Sequence, residues 1–228
     1  EAGRTGSQGK APKKARNGKV LSWLPNRLCT LSFKKEGSDE FTGFDMDLIR
    51  AIGTKLGYKV EISSMGFDAL IPALNSGNID VAIAGMSITD ERKKVVVFSD
   101  PYYTSGLIVM VKKDDDTIKG FSDLEGKRIA VQIGTTGANK AGEVKNAKVT
   151  AFNDNTAAAM ELKNGGADAV INDSPVLKYY LQQGGSADAK VVGAVMNSED
   201  YGIAVKKGND KLAAEINKAL AEMKQNGE

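Results

Sequence analysis

The feature that most constrains this chain is a regular alternation of short apolar runs with helix-length segments. Ile79–Ala84 is a near-continuous apolar run, the pattern of a strand covered on both faces. Tyr58–Ser64 alternates, and Leu107–Val111, Arg128–Ile133, Lys148–Phe152 and Ala167–Ile171 read as further strands. Phe44, Leu48, Ile52 and Leu56 recur at four-residue spacing and make one apolar helix face ending at Gly57. Phe67, Leu70, Ile71 and Leu74 form a second stripe, stopped by Ser76-Gly77, and residues 136–145, 155–164 and 174–183 read as helices. The tail Asp210–Lys224 carries Leu212, Ile216, Ala219 and Leu220 and is expected to be helical. Strand and helix alternating at these lengths predict an α/β protein, its parallel sheets flanked by helices on both faces.

The 228 residues allow one large domain or two modest lobes. Residues 1–18 hold almost no large apolar side chain, cannot repay ordering entropy, and are expected to be a disordered leader. A formal charge of +2 is too near zero to imply a nucleic-acid or anionic-membrane partner. The absence of histidine removes imidazole acid–base catalysis and nearly all zinc chemistry. One cysteine excludes an intramolecular disulfide. No apolar run approaches the ~20 residues of a membrane span. Two stretches look like crossings between lobes: Asp100-Pro101-Tyr102-Tyr103-Thr104-Ser105-Gly106 and Asn197-Ser198-Glu199-Asp200-Tyr201-Gly202. Met65, Met86, Met110 and Met160 read as core filler, and Asp114-Asp115-Asp116 as a solvated turn.

Open α/β sheets bind ligands beyond the carboxyl ends of their strands, so the residues after each strand carry the functional signal. After Ile79–Ala84 come Gly85, which lets a ligand approach the backbone, Ser87 with its hydroxyl, and Thr89, a good N-cap. That cap places Arg92 in a first helical turn, where a guanidinium can hold a carboxylate bidentately or simply lie in solvent. After Arg128–Ile133, Gly134-Thr135-Thr136-Gly137 is a strand–turn–helix corner with two hydroxyls, and Gln132 can point a neutral amide into the same space. After Ala167–Ile171, Asp173 is either the N-cap of a helix opened by Pro175 or a cleft carboxylate for an ammonium group.

Together these pieces resemble the polar amino-acid-binding proteins of bacterial ABC importers, solute-binding proteins of family 3. The resemblance is carried by Phe41-Thr42-Gly43-Phe44-Asp45-Met46-Asp47-Leu48, Gly85 through Arg92, and Phe98-Ser99-Asp100-Pro101-Tyr102-Tyr103. Gln132-Ile133-Gly134-Thr135-Thr136-Gly137 and Asp200-Tyr201-Gly202-Ile203-Ala204-Val205 complete it, so that it covers about residues 41–227. It implies a two-lobed periplasmic-binding-protein fold of type II, each lobe a mainly parallel sheet, joined by two extended hinge strands. The lobes would be 19–101 with 202–228, and 107–196; the hinges would be 102–106 and 197–201. By position, Arg92 would clamp the α-carboxylate of an amino acid, with Gly85, Ser87, Thr135 and Thr136 bonding the same end. Asp173 would take the α-ammonium, Phe67 would cover the side chain, and Gln132 would sit where relatives vary with ligand chemistry. The neutral Gln132 points to glutamine or a similar ligand, with arginine or lysine next.

The partners implied are that free amino acid and the importer's membrane permease, with the chain a monomer needing no cofactor, metal or catalytic residue. The place implied is the periplasm or the extracellular side, with lipid anchoring before processing left open. Two other classes fit less well. A dehydratase of the cyclohexadienyl or arogenate type would use Asp173 or Glu199 as its acid, yet neither has an evident partner. A receptor's ligand-sensing domain would need a membrane or signalling segment.

One stretch departs from the family. Relatives open with a strand reading roughly V-G-T, then an acidic residue and an F-x-P-F segment, whereas here Val20-Leu21 leads into Ser22-Trp23-Leu24-Pro25-Asn26-Arg27-Leu28-Cys29-Thr30-Leu31-Ser32-Phe33. Plausible codons for this stretch, read one nucleotide later, yield V-G-x-x-T-D-F-A-P-F. We therefore expect a compensated frameshift between about Leu21 and Phe33. Sequencing the gene across these codons checks it: the shifted frame should spell the family motif, and a shifted frame without it ends the idea.

Overall fold

The computed structural model describes residues 16–22, 33–34 and 40–227. In chain order the first elements are β1 (Arg16–Ser22), β2 (Phe33–Lys34), β3 (Phe41–Thr42), α1 (Phe44–Leu56) and β4 (Tyr58–Ser63). A 3-10 turn at Phe67–Ala69 leads into α2 (Leu70–Ser76), followed by β5 (Val81–Ile83), α3 (Asp90–Lys93), β6 (Val96–Phe98) and β7 (Tyr103–Lys112). Then come β8 (Arg128–Gln132), α4 (Thr136–Gly142), β9 (Lys148–Phe152), α5 (Asn155–Lys163), β10 (Ala169–Asp173) and α6 (Ser174–Gln182). The chain finishes with β11 (Ala189–Tyr201), β12 (Ala204–Lys206) and α7 (Asp210–Asn226).

These strands make two five-stranded sheets, ordered β4-β1-β5-β12-β6 and β11-β7-β10-β8-β9. In each, a parallel trio (β4-β1-β5 and β10-β8-β9) is extended by two antiparallel strands. Strand alternation feeds a core on each face of each sheet. Val81 and Ile83 pack with Met46, Ile49 and Ile52 of α1 and Ile216 and Leu220 of α7. Ala82 and Ala84 pack on the other face with Leu70 and Leu74 of α2. In the second sheet Leu107, Val109, Val131 and Ile171 face one way, while Ile108, Met110, Ala130 and Val170 face α5 and α6.

Several expectations need adjusting. Helix α1 has the expected ends, but its buried face is centred on Met46, Ile49 and Ile52, and Phe44 is 48% exposed. A stripe of four-residue steps drifts ~40° per step, so its first member rotates off the core; Phe44 instead stacks on Tyr102. Met160 is exposed, because α5 buries Ala158, Ala159 and Leu162 on the opposite side. Strand β1 starts at Arg16, inside the expected leader 1–18, since its backbone pairs with β4 from Arg16↔Tyr58 onward and this pairing needs no apolar side chain. Residues 1–15 of that leader, and 23–32 of the suspected frameshift, lie outside the described residues.

The longest of the described strands, β11, was expected only over its last residues, 197–201, as the second extended hinge. It runs antiparallel to β7 with register breaks between Val192 and Met196 and between Met196 and Glu199. At these breaks Gly106 of β7 is pressed against it: a Cβ at Gly106 would stand 2.6 Å from the Asn197 carbonyl oxygen and 2.8 Å from that of Met196. Backbone cannot yield as a flexible side chain can. Gly106→Ala should therefore destabilise the fold by about 1–3 kcal/mol in denaturant titration.

Candidate functional site

The turns after β5, β8 and β10 meet in one cleft, where all eight residues singled out from the sequence are found. Phe67, Gly85, Ser87, Arg92, Gln132, Thr135, Thr136 and Asp173 line it with Ala84, Asn172, Val176 and Tyr201, around a narrow cavity of about 20 Å³.

On the first wall, Gly85 adopts φ 55°, a backbone region glycine enters without strain, and its N–H donates to Asp45 Oδ2 at 3.0 Å. Asp45 is fully buried, and burial pushes its carboxyl up to about 7 against the pull of the Tyr102 hydroxyl and the Gly85 N–H. The next residues pair antiparallel with the end of β11: Gly202 N–H donates to Met86 O and Ile88 N–H to Asp200 O. Thr89 caps α3 by accepting from Arg92 N–H at 3.1 Å. The cap directs the Arg92 side chain back over the Phe67 ring, 5.3 Å from its centroid, where Nη1 donates to Ser87 O at 2.7 Å. Its Nη2 crosses the cleft and donates to Gly134 O at 2.9 Å. Burial lowers the Arg92 pKa, while Asp173 and Glu199 oppose that shift.

On the facing wall, Thr135 caps α4. Its hydroxyl accepts from Ala138 N–H at 3.1 Å and donates to Gln132 O at 2.8 Å, so it is committed to the helix. Thr136 donates to Glu199 Oε2 at 2.7 Å. Asp173 heads α6 but makes no capping bond; its Oδ2 accepts from the Tyr201 hydroxyl at 2.6 Å. Asp173 thus holds the N-cap position without a capping bond, and its side chain lines the cleft. Burial raises the Asp173 carboxyl to about 7, Glu199 adds to the rise, and Tyr201 and Arg92 oppose it.

Behind Asp173 lies a chain of buried amides. Asp173 N–H donates to Asn172 Oδ1 at 2.9 Å, which turns Asn172 Nδ2 toward Asn155 Oδ1 at 2.9 Å and Gln132 Oε1 at 3.3 Å. One backbone donor therefore sets the orientation of Gln132, whose Nε2 is left without a partner. Asn172, Tyr201 and Glu199 were not among the residues expected to serve a binding site. The first two were legible only as strand-end neighbours of Asp173 and of the expected second hinge.

Known proteins resemble this one in sequence and structure. Residues 28–228 match the bacterial extracellular solute-binding proteins, family 3. The chain is 37% identical over 197 residues to ABC transporter arginine-binding protein 1 of Escherichia coli, covering 83% of this chain and 79% of that protein. An ancestral arginine-binding protein, 46% identical, superposes with a TM-score of 0.87 in its arginine-bound form and 0.84 in its glutamine-bound form, over 92% of this chain and 93% of that one. An ancestral amino acid-binding protein described as a precursor of cyclohexadienyl dehydratase is 40% identical, with a TM-score of 0.84, over 92% of this chain and 91% of that one.

The two raised carboxyls set a pH dependence. A carboxyl whose pKa rises on folding stabilises the fold below its unfolded value, and that contribution is lost as pH climbs through about 7. Unfolding midpoints should fall between roughly pH 4 and pH 7. Asp45→Asn should raise the midpoint at pH 8 by several degrees and leave it nearly unchanged near pH 4, measured by thermal denaturation. An equal effect at both pH values would contradict this account.

Proposed function

The chain belongs to the bacterial extracellular solute-binding proteins, family 3, and from that premise we propose that it captures one free polar amino acid and hands it to an ABC importer. The observation that carries this is the opposition of Arg92 and Asp173 within one cleft. A zwitterion entering such a space loses its water, and each of its charges then needs an opposite, hydrogen-bonded partner. Arg92 would take the α-carboxylate at the Gly85–Ser87 turn, and Asp173 the α-ammonium. Phe67 would cover the side chain, while Thr135, its hydroxyl held by the helix cap, would shape the wall. Closure around the ligand, about hinges near 102–106 and 197–201 and between lobes 19–101 with 202–228 and 107–196, would be the state a permease senses. The chain acts as a monomer on the periplasmic or extracellular side and catalyses no reaction.

For the side chain, Gln132 favours a ligand that offers an acceptor, because its fixed amide presents a donor. Glutamine fits best. Arginine or lysine is the second reading, favoured by the two carboxylates, Asp173 and Glu199, that act on the single guanidinium of Arg92.

A thermal-shift screen of the twenty amino acids tests the proposal. Glutamine should give the largest rise, then arginine and lysine, with roughly 2.7 kcal/mol of added stability at one hundred times the dissociation constant. Arg92→Ala should cost about 2–5 kcal/mol of affinity, since it strands a buried carboxylate. A flat screen, repeated on a chain whose segment 22–33 is restored to the family pattern, overturns the reading.

A further inference from the structure

Of the described residues lining the cleft, Arg92 and Asp173 carry charge, and both serve the backbone end of the ligand in the scheme above. What remains to read the side chain is neutral: the Phe67 ring and the amides of Gln132 and Asn172. A third amide stands behind that pair. Asn155, the first residue of α5, is fully buried and is not among the residues lining the cleft. Its Oδ1 accepts from Asn172 Nδ2 at 2.9 Å. Asn172 must present that nitrogen, because its own Oδ1 is taken by the Asp173 N–H, so the group facing it has to be an acceptor. Among the described residues the Asn155 amide nitrogen has no partner.

We propose that Asn155 is a specificity-determining residue, whose neutrality selects a ligand with an uncharged side chain. An asparagine that uses only its oxygen makes no bond that an aspartate of the same shape would lose. A carboxylate at this position would even remove a buried, unsatisfied donor, and in the first turn of a helix it is favoured by the helix dipole. What asparagine supplies here, and aspartate would not, is the absence of charge. That absence is felt in the cleft, because Asn155 and Gln132 accept from the same nitrogen of Asn172, at 2.9 and 3.3 Å. A guanidinium or ammonium side chain arriving beside three linked amides loses its water and meets no counter-charge there. The amide of glutamine needs only a donor for its carbonyl oxygen, and Gln132 Nε2 is one. The row behind the cleft wall therefore decides between neutral and cationic ligands without touching either.

This inference deepens the amino-acid reading and rests on it, and its test keeps the two apart. Calorimetry at pH 8 compares L-arginine with L-citrulline, its uncharged isostere, alongside L-glutamine. The wild-type chain should bind glutamine most tightly, and citrulline at least as tightly as arginine. Asn155→Asp should fold and should raise the preference for arginine over citrulline about 10- to 100-fold, the effect of one charge at ~8 Å through an effective dielectric constant of ~20. Asn155→Ala removes the bond to Asn172 and adds no charge. It should weaken all three ligands alike and leave the ratio of arginine to citrulline affinity unchanged. An unchanged ratio in Asn155→Asp, a shifted ratio in Asn155→Ala, or an Asn155→Asp chain that does not fold overturns the role of Asn155 and leaves the amino-acid reading intact. A wild-type chain that prefers arginine to citrulline does the same. Failure of the wild-type chain to bind any of the three, with or without segment 22–33 restored, overturns both.

Discussion

A guanidinium taken out of water needs partners around its whole rim, and those of Arg92 come from both sides of the cleft. One nitrogen reaches Ser87 O on its own wall, the other reaches Gly134 O across the gap, and the face lies on Phe67. Everything else in the site is arranged about that side chain. The Thr89 cap starts the short helix that carries it, and the acids Asp173 and Glu199 counter the cost of its burial.

The second constraint is polarity transmitted along hydrogen bonds. A single backbone N–H at Asp173 orients Asn172, which orients Gln132, so a strand end dictates which face of a side-chain amide the cleft meets. Tyr201 acts similarly on Asp173, and Glu199 on two hydroxyls. Buried networks of this kind leave few alternatives, because each reversed member strands a donor or an acceptor in low dielectric.

How much of this could be read from the sequence depended on burial. Strands β8 and β9 were legible within a residue at each end, and so were the ends of α1, because an apolar run and a following glycine or hydroxyl turn mark them. The face of α1 was not, since spacing shows that a stripe exists but not where the neighbouring helix α7 meets it. Strand β11 was expected only at its 197–201 end, as a hinge; the rest escaped because much of it lies exposed at a sheet edge, where no buried apolar run marks it. At the site, the strand-end rule and the family motifs found the lining residues. Their bonding roles were hidden: whether the Thr135 hydroxyl caps a helix or meets a ligand, and whether Asp173 caps or faces the cleft, depends on neighbours distant in sequence such as Tyr201. Glu199 was legible only as a hinge residue and as the nominal acid of the dehydratase reading; its bonds to Ser87 and Thr136 had no local signal.

The carboxyl of Asp173, held at about 7, has a consequence for uptake. In a neutral medium it stands part-protonated, sharing its buried position with a hydrogen ion. In the proposed role of Asp173, a positively charged head group arriving there would favour the ionised form and expel that ion. Loading would then be an exchange, with a fraction of a proton leaving for each ligand molecule bound. An acidifying habitat would compete with the nutrient for the same oxygen atoms.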